Sequence, residues 1–102
     1  MAKNVRLSGP TLKVLRFFMG DVSRPRSGAE IHQATRIGSG TLYPLLVRLE
    51  EAGWFLSEWE QIEPSQEGRP RRRYYTITGA GQRAAREALA PLQWEGALAW
   101  QS

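Results

Sequence analysis

The sequence predicts an α+β domain, mainly α, in which three helices precede a β-hairpin and one more helix. Three segments of the first half carry apolar residues at helical spacing, and two of them begin with a residue suited to cap a helix. Two segments rich in aromatic and β-branched residues follow, and they flank a polar stretch that contains Pro and Gly. A chain of 102 residues can bury one modest core, so we expect a single compact unit.

The first helix is predicted to begin at Ser8, whose hydroxyl can accept the unpaired N–H groups of the first turn. Pro10 follows at a position where a missing backbone donor costs nothing. The helix ends at Gly20-Asp21, and residues 22–26 are expected to form a short loop. Its apolar stripe consists of Leu12, Leu15, Phe18 and Met19.

A second, short helix is predicted after Ser27, because Ser27 and Glu30 have the spacing of a capping box. Ile31 and Ala34 should face inward. The helix stops within residues 36–38, which leaves a joint of about three residues before the next helix. A tight, glycine-containing joint between two short helices is typical of a helix-turn-helix.

The third helix is predicted to start at Ser39 or Gly40 and to run to about Ala52, with Gly53 as its C-cap. Its core face consists of Leu42, Leu45, Leu46 and Leu49. The opposite face carries Gly40, Thr41, Pro44, Val47, Arg48 and Glu51.

Residues 54–62 and 72–78 are predicted to be strands joined by a polar loop over residues 63–71. Thr78 can cap a last helix from about Gly79, which Pro91 should end or kink. Three helices followed by a hairpin form the winged helix-turn-helix arrangement.

In that arrangement the third helix can enter the major groove of DNA, because small or polar residues lie at its N-terminal end. Candidate contacts there are Ser39, Gly40, Thr41, Tyr43, Pro44 and Arg48. Three of them have structural alternatives: Ser39 as an N-cap, Tyr43 as a packing residue and Arg48 as the partner of Glu51.

The hairpin loop supplies a second candidate contact, because four arginines fall within five residues. Arg69 and Arg71, on either side of Pro70, are expected near the tip, where arginine can enter a narrow minor groove. Arg72 and Arg73 alternate in direction along a strand, so one of the two is expected to contact DNA, and we assign that contact to Arg72. A solvated basic loop is the alternative reading.

The amino-acid composition agrees with binding to a polyanion and argues against a disulfide-rich protein, a membrane protein and an enzyme. The net charge is +4, and the absence of cysteine excludes disulfides and thiolate chemistry. No apolar run is long enough for a membrane span and no signal peptide is recognised, so a cytoplasmic location is expected. His32 is the one histidine and has no catalytic or metal-binding partner in its pattern. We therefore predict no enzyme activity, no metal site and no cofactor.

Three runs of sequence resemble the PadR family of bacterial transcriptional regulators: residues 40–46, residues 48–53 and residues 68–78. The resemblance covers about residues 7–90. It implies a winged helix domain that dimerises through its C-terminal helix and binds double-stranded DNA at a palindromic operator. It also implies repression that a small aromatic or cationic effector relieves. The C-terminal part is short, and Pro91 interrupts the region that forms one long dimer helix in relatives.

The chain is therefore predicted to consist of a DNA-binding domain at residues 1–78 and a helical dimerisation segment at residues 79–102. A domain of this size can hardly bury four tryptophans by itself, and exposed apolar residues usually mark a contact surface. The predicted homodimer interface consists of Leu89, Leu92, Trp94, Leu98 and Trp100. Trp94 or Trp100 could instead stack on a flat effector. The alternative function is an architectural or protein-interaction module, because the outward face of the third helix is only weakly basic.

Overall fold

The structure, a computed structural model, describes the backbone of residues 5–101 and the side chains of residues 5–91. Five helices and a three-stranded antiparallel sheet make up this part of the chain, with the central strand last of the three in sequence. The elements in order are α1 (Gly9–Met19), β1 (Arg26–Ser27), α2 (Gly28–Thr35), α3 (Ser39–Glu51), β2 (Phe55–Trp59), α4 (Pro64–Glu67), β3 (Arg73–Ile77) and α5 (Gly79–Gln101). The mainly helical winged helix-turn-helix prediction is confirmed.

Side-chain caps start the first two helices as the sequence indicates. Ser8 accepts a hydrogen bond from the Thr11 N–H at 3.4 Å. Ser27 accepts from the Glu30 N–H at 3.1 Å, and Glu30 accepts from the Ser27 N–H at 3.3 Å. The capping box is therefore complete, and it fixes where α2 begins.

The turn between α2 and α3 is closed by a left-handed residue and one side chain. Arg36 has a φ of 62°, which ends α2, and Ile37 is buried beneath the turn. The Nδ1 atom of His32 lies 2.6 Å from the Ile37 carbonyl oxygen. Because a carbonyl oxygen only accepts, Nδ1 is the donor. The hydrogen bond from His32 therefore stabilises the turn between α2 and α3.

The core lies between α1, α3, the sheet and the first turns of α5. Phe18 and Phe55 meet edge to face at its centre, with ring centroids 4.6 Å apart. All four leucines predicted for the core face of α3 are buried. The strands pair in the register Phe55↔Ile77 to Trp59↔Arg73, and both are shorter than predicted because the ladder ends where the loop turns away.

Two predictions about the α2 region are wrong. Ala34 is exposed and Thr35 is buried instead, because its hydroxyl donates to the Ile31 carbonyl at 2.7 Å and so loses no hydrogen bond. Arg26, predicted within a loop, begins β1 and pairs with β3. Its buried guanidinium lies 4.5 Å from the Phe17 ring centroid and donates to the Phe17 carbonyl.

The last helix begins as predicted and continues further than predicted. Thr78 accepts the Gly81 N–H at 3.0 Å and donates to the Gly53 carbonyl at 2.7 Å, which ties the start of α5 to the end of α3. The expectation that Pro91 could end the helix is wrong, since α5 extends to Gln101. A proline removes a single backbone donor, and the remaining hydrogen bonds can maintain the helix.

Of the predicted dimer residues, Leu89 is buried in the core of this chain. The side chains of Leu92, Trp94, Leu98 and Trp100 lie outside the described residues.

Gly81 is expected to be intolerant of any side chain. A Cβ atom there would lie 2.2 Å from the Trp54 carbonyl oxygen. This oxygen belongs to the backbone, so removing the clash would require a backbone shift. Gly81→Ala should therefore lower the free energy of unfolding by about 2 kcal/mol or more, as measured by urea denaturation. Gly79→Ala is the matched control, because its Cβ would meet only the flexible Arg83 side chain. Equal stability of the two variants would contradict the packing described.

Candidate nucleic-acid interface

The N-terminal part of α3 presents an open, polar face. Gly38 is the N-cap residue and Ser39 is the first residue of the helix, so the reading of Ser39 as an N-cap is wrong. No side chain caps this end, which leaves its first N–H groups available. The exposed residues on this face are Ser39, Gly40, Thr41, Pro44 and Arg48.

Tyr43 is both exposed and packed. Its side chain is 44% exposed, yet its ring lies against the start of α2. A Cβ atom at Gly28 would lie 2.7 Å from Tyr43 Cε1 and 3.0 Å from its hydroxyl oxygen. The absence of a side chain at Gly28 therefore lets Tyr43 rest on α2 and hold its hydroxyl beside the first turn of that helix.

An open groove of about 270 Å³ joins α2, α3 and the wing, which we define as residues 55–77. We call it the wing groove, and the residues that matter most in its lining are Gly28, Tyr43, Trp59, Arg71, Arg72 and Tyr75. The structure thus brings Tyr43 of the third helix together with two of the predicted wing arginines. Of the residues predicted to contact DNA from α3, Tyr43 is the one that lines this groove.

Arg69 is held by a carboxylate within the wing. Its Nη1 and Nη2 atoms lie 2.6 Å and 2.9 Å from the two carboxylate oxygens of Glu60. Glu60 Oε1 also accepts the Arg72 N–H at 3.1 Å, and the Glu60 N–H donates to the Arg72 carbonyl at 2.8 Å. Glu60 therefore fastens both ends of the loop that carries the arginines.

These contacts lower the pKa of Glu60 to about 2, mainly through the hydrogen bond from Arg69. The same hydrogen bond raises the pKa of the Arg69 guanidinium. The pair is thus fully charged at neutral pH.

The next two arginines are more accessible. Arg71 donates through Nε to the Ile62 carbonyl at 3.0 Å and is exposed, as is Pro70 beside it. The Arg72 side chain is exposed, and no described residue hydrogen-bonds to its guanidinium.

Arg73 also lines the wing groove, and it fastens the wing to α3. Its Nη2 atom lies 3.2 Å from Glu50 Oε2, and its Nε donates to the Ser57 hydroxyl at 2.9 Å. Its guanidinium also lies 5.4 Å from the Trp59 ring centroid. Arg73 is thus engaged by α3, whereas the Arg72 guanidinium has no hydrogen-bond partner among the described residues.

Six lining residues of the wing groove were not among the predicted site residues: Ser27, Gly28, Ala29, Trp59, Arg73 and Tyr75. Trp59 is 56% exposed at the end of β2, and its place in an apolar strand segment gave no signal of exposure. Gly28 lies between Ser27 and Glu30 of the capping box, and its position there predicted only a helix start. Tyr75 is buried among the strands, where burial raises the pKa of its hydroxyl. Strand alternation from Arg73 could have placed Tyr75 on the same face.

The fold and the groove together define the class of winged-helix transcriptional regulators. Residues 25–87, more than half of the chain, match the transcriptional regulator PadR-like family. The protein therefore belongs to the PadR-like family, which confirms the resemblance seen in its motifs. No match is found among curated proteins.

Solved structures of regulators share this fold. A candidate transcriptional regulator of Thermoplasma acidophilum is 24% identical, with a TM-score of 0.67 over 90% of both chains. MepR of S. aureus, in its DNA-binding conformation, is 16% identical, with a TM-score of 0.71 over 94% of this chain and 66% of its own. Overoxidized AbfR bound to DNA, a protein of Staphylococcus epidermidis, is 28% identical, with a TM-score of 0.59 over 78% of this chain and 55% of its own. The chain thus spans between half and two thirds of the last two proteins.

Within the described residues, no helix is long and apolar enough to span a membrane.

The Glu60–Arg69 pair should make wing stability depend on acid pH. The pKa of Glu60 is about 2 in the folded protein against an ordinary value of 4.5. The contribution of the pair is therefore complete above pH 4.5 and is lost as the pH falls towards 2. Urea denaturation at a series of pH values should show a smaller loss of stability over this range for Glu60→Gln than for the wild type. Glu58→Gln, an exposed change in β2 two residues before Glu60, is the control. Parallel wild-type and Glu60→Gln profiles would contradict the assignment.

Proposed function

We propose that the protein is a DNA-binding transcriptional regulator that recognises a palindromic operator as a homodimer. The observation that carries the proposal is the groove in which Tyr43 of α3 lies together with Arg71 and Arg72 of the wing. A helix N-terminus and arginine side chains are the groups that bind DNA phosphates and base edges. The DNA complex of AbfR, at 28% identity over 78% of this chain, supports the same mode of use.

Each contact has a proposed role. Ser39, Gly40 and Thr41 enter the major groove with the end of α3, and Thr41 contacts a base edge or a thymine methyl group. The Tyr43 hydroxyl contacts the sugar–phosphate backbone of the DNA. Pro44 and Arg48 lie on the face of α3 that is turned to the DNA. In the wing, Arg71 and Arg72 contact DNA, with Pro70 stiffening the turn between Arg69 and Arg71. Arg69 is paired with Glu60, so it can contact DNA only with a guanidinium N–H group that this carboxylate does not bind.

The proposal extends to assembly and regulation. Residues 79–102 form the dimerisation segment, and the continuation of α5 past Pro91 supports a helical interface that includes Leu92, Trp94, Leu98 and Trp100. Two copies related by a twofold axis would read two half-sites about 34 Å apart. We propose that the protein represses transcription in the cytoplasm and releases DNA when a small aromatic effector binds.

Selection of bound duplexes from a random pool, with the stoichiometry measured by sedimentation, tests this proposal. The expected result is a sequence with a dyad, bound by two copies. Binding without sequence preference would point to an architectural protein, and no binding to any duplex would favour a protein-interaction module. The weakly basic face of α3, where Arg48 is the one cation, keeps these alternatives in the test.

The arginines of the wing should be separable by the salt dependence of binding. Arg71→Ala and Arg72→Ala should each make the slope of log K against log salt shallower by about 0.9, the contribution of one phosphate contact. Arg16→Ala, an exposed change on α1, is the control and should leave the slope unchanged. Slopes equal to that of the wild type in both wing variants would show that the wing does not touch phosphate.

A further inference from the structure

The wing groove contains a buried polar side chain without a partner. Tyr75 is 5% exposed and lines the groove. Its hydroxyl makes no hydrogen bond with any residue that the structure describes. The oxygen of this hydroxyl is not among the fully buried polar atoms that lack a partner, so it keeps contact with solvent at the groove. A ligand that supplies an acceptor could take the place of water there.

Donors converge on the same place from α2. The N–H groups of Gly28 and Ala29 belong to the first turn of an eight-residue helix and have no acceptor within it. The Ser27 hydroxyl accepts the third N–H of this turn, so those of Gly28 and Ala29 remain. The Tyr43 hydroxyl lies beside them, since Gly28 has no side chain to displace it.

The charges around the groove favour an anion. Arg71 and Arg72 line it and supply positive charge. The nearby carboxylates already have partners: Glu50 binds Ser57 and Arg73, while Glu30 binds Arg24 and the Ser27 N–H. The positive end of the α2 dipole adds to the same field.

We propose that the wing groove seats a single phosphate group of the DNA backbone, with the Tyr75 hydroxyl as a direct donor. This inference rests on the proposed function and adds to it a contact from the floor of the groove. The groove is open to solvent and Tyr43 of α3 lines it, so a phosphate that belongs to a long polymer can enter it. Burial raises the pKa of the Tyr75 hydroxyl, so it is protonated and can donate at neutral pH.

A cycle of protein and DNA changes tests the seat. A selected duplex is prepared with one phosphate at a time replaced by a neutral methylphosphonate, and affinities are measured for the wild type and for Tyr75→Phe. Tyr75→Phe should weaken binding to the unmodified duplex about tenfold, as expected for a hydrogen bond to a charged group. At one phosphate per half-site the methylphosphonate should weaken the wild type strongly and Tyr75→Phe much less.

Tyr74→Phe is the matched control, because Tyr74 is the neighbouring tyrosine on the other face of β3. It should behave as the wild type at every phosphate. If the losses at every phosphate were the same for Tyr75→Phe and the wild type, the seat would be ruled out while DNA binding itself would stand.

A second measurement separates the seat from the proposed function. If no duplex binds, the proposed function fails, and the seat is then tested with inorganic phosphate at constant ionic strength. Shifts of the Gly28 and Ala29 amide resonances in the wild type, reduced in Tyr75→Phe, would support an anion seat for a free phosphate compound in place of DNA. Unchanged resonances in the wild type would overturn the seat altogether.

Discussion

The structure depends on the position of β3 between the two other strands. Tyr75 pairs with Arg26 of β1 on one side and with Ser57 of β2 on the other. Since β1 runs directly into α2, this pairing fixes the start of α2 against the base of the wing. The two elements are distant in sequence, and without the central strand neither would hold a defined place beside the other. The wing groove is a consequence of this three-stranded register.

The arginine-rich run of the wing is divided between fixing the wing and exposing charge. Arg69 and Arg73 are engaged by the carboxylates of Glu60 and Glu50, while Arg71 and Arg72 remain accessible. Besides the pH-dependent stability expected of the Glu60 pair, both ion pairs fix the orientation of the wing. A bidentate contact such as that of Arg69 restricts a loop more than a single hydrogen bond can. The net charge of the run therefore overstates the charge available to a partner.

The features predicted correctly from the sequence are those that neighbouring residues encode. The Ser27–Glu30 capping box, the leucine face of α3 and the Thr78 cap each depend on residues within one or two turns. The features that were missed depend on distant partners. The strand at Arg26 exists because β3 pairs with it, and Arg69 is held by a carboxylate nine positions earlier across the hairpin. Spacing rules carry no information about such contacts.

Gly28 shows how the fold and the candidate site constrain each other. As the first residue of α2 it could carry any small side chain without harm to the helix, and the capping box would still form. The Tyr43 ring occupies the space that a Cβ would need, so the identity of residue 28 is set by the third helix. That contact also brings the Tyr43 hydroxyl close to the N–H groups of α2 and to the groove that Tyr75 lines. Because residue 28 has no side chain, Tyr43 of α3 can pack on α2 and line the groove beside the wing.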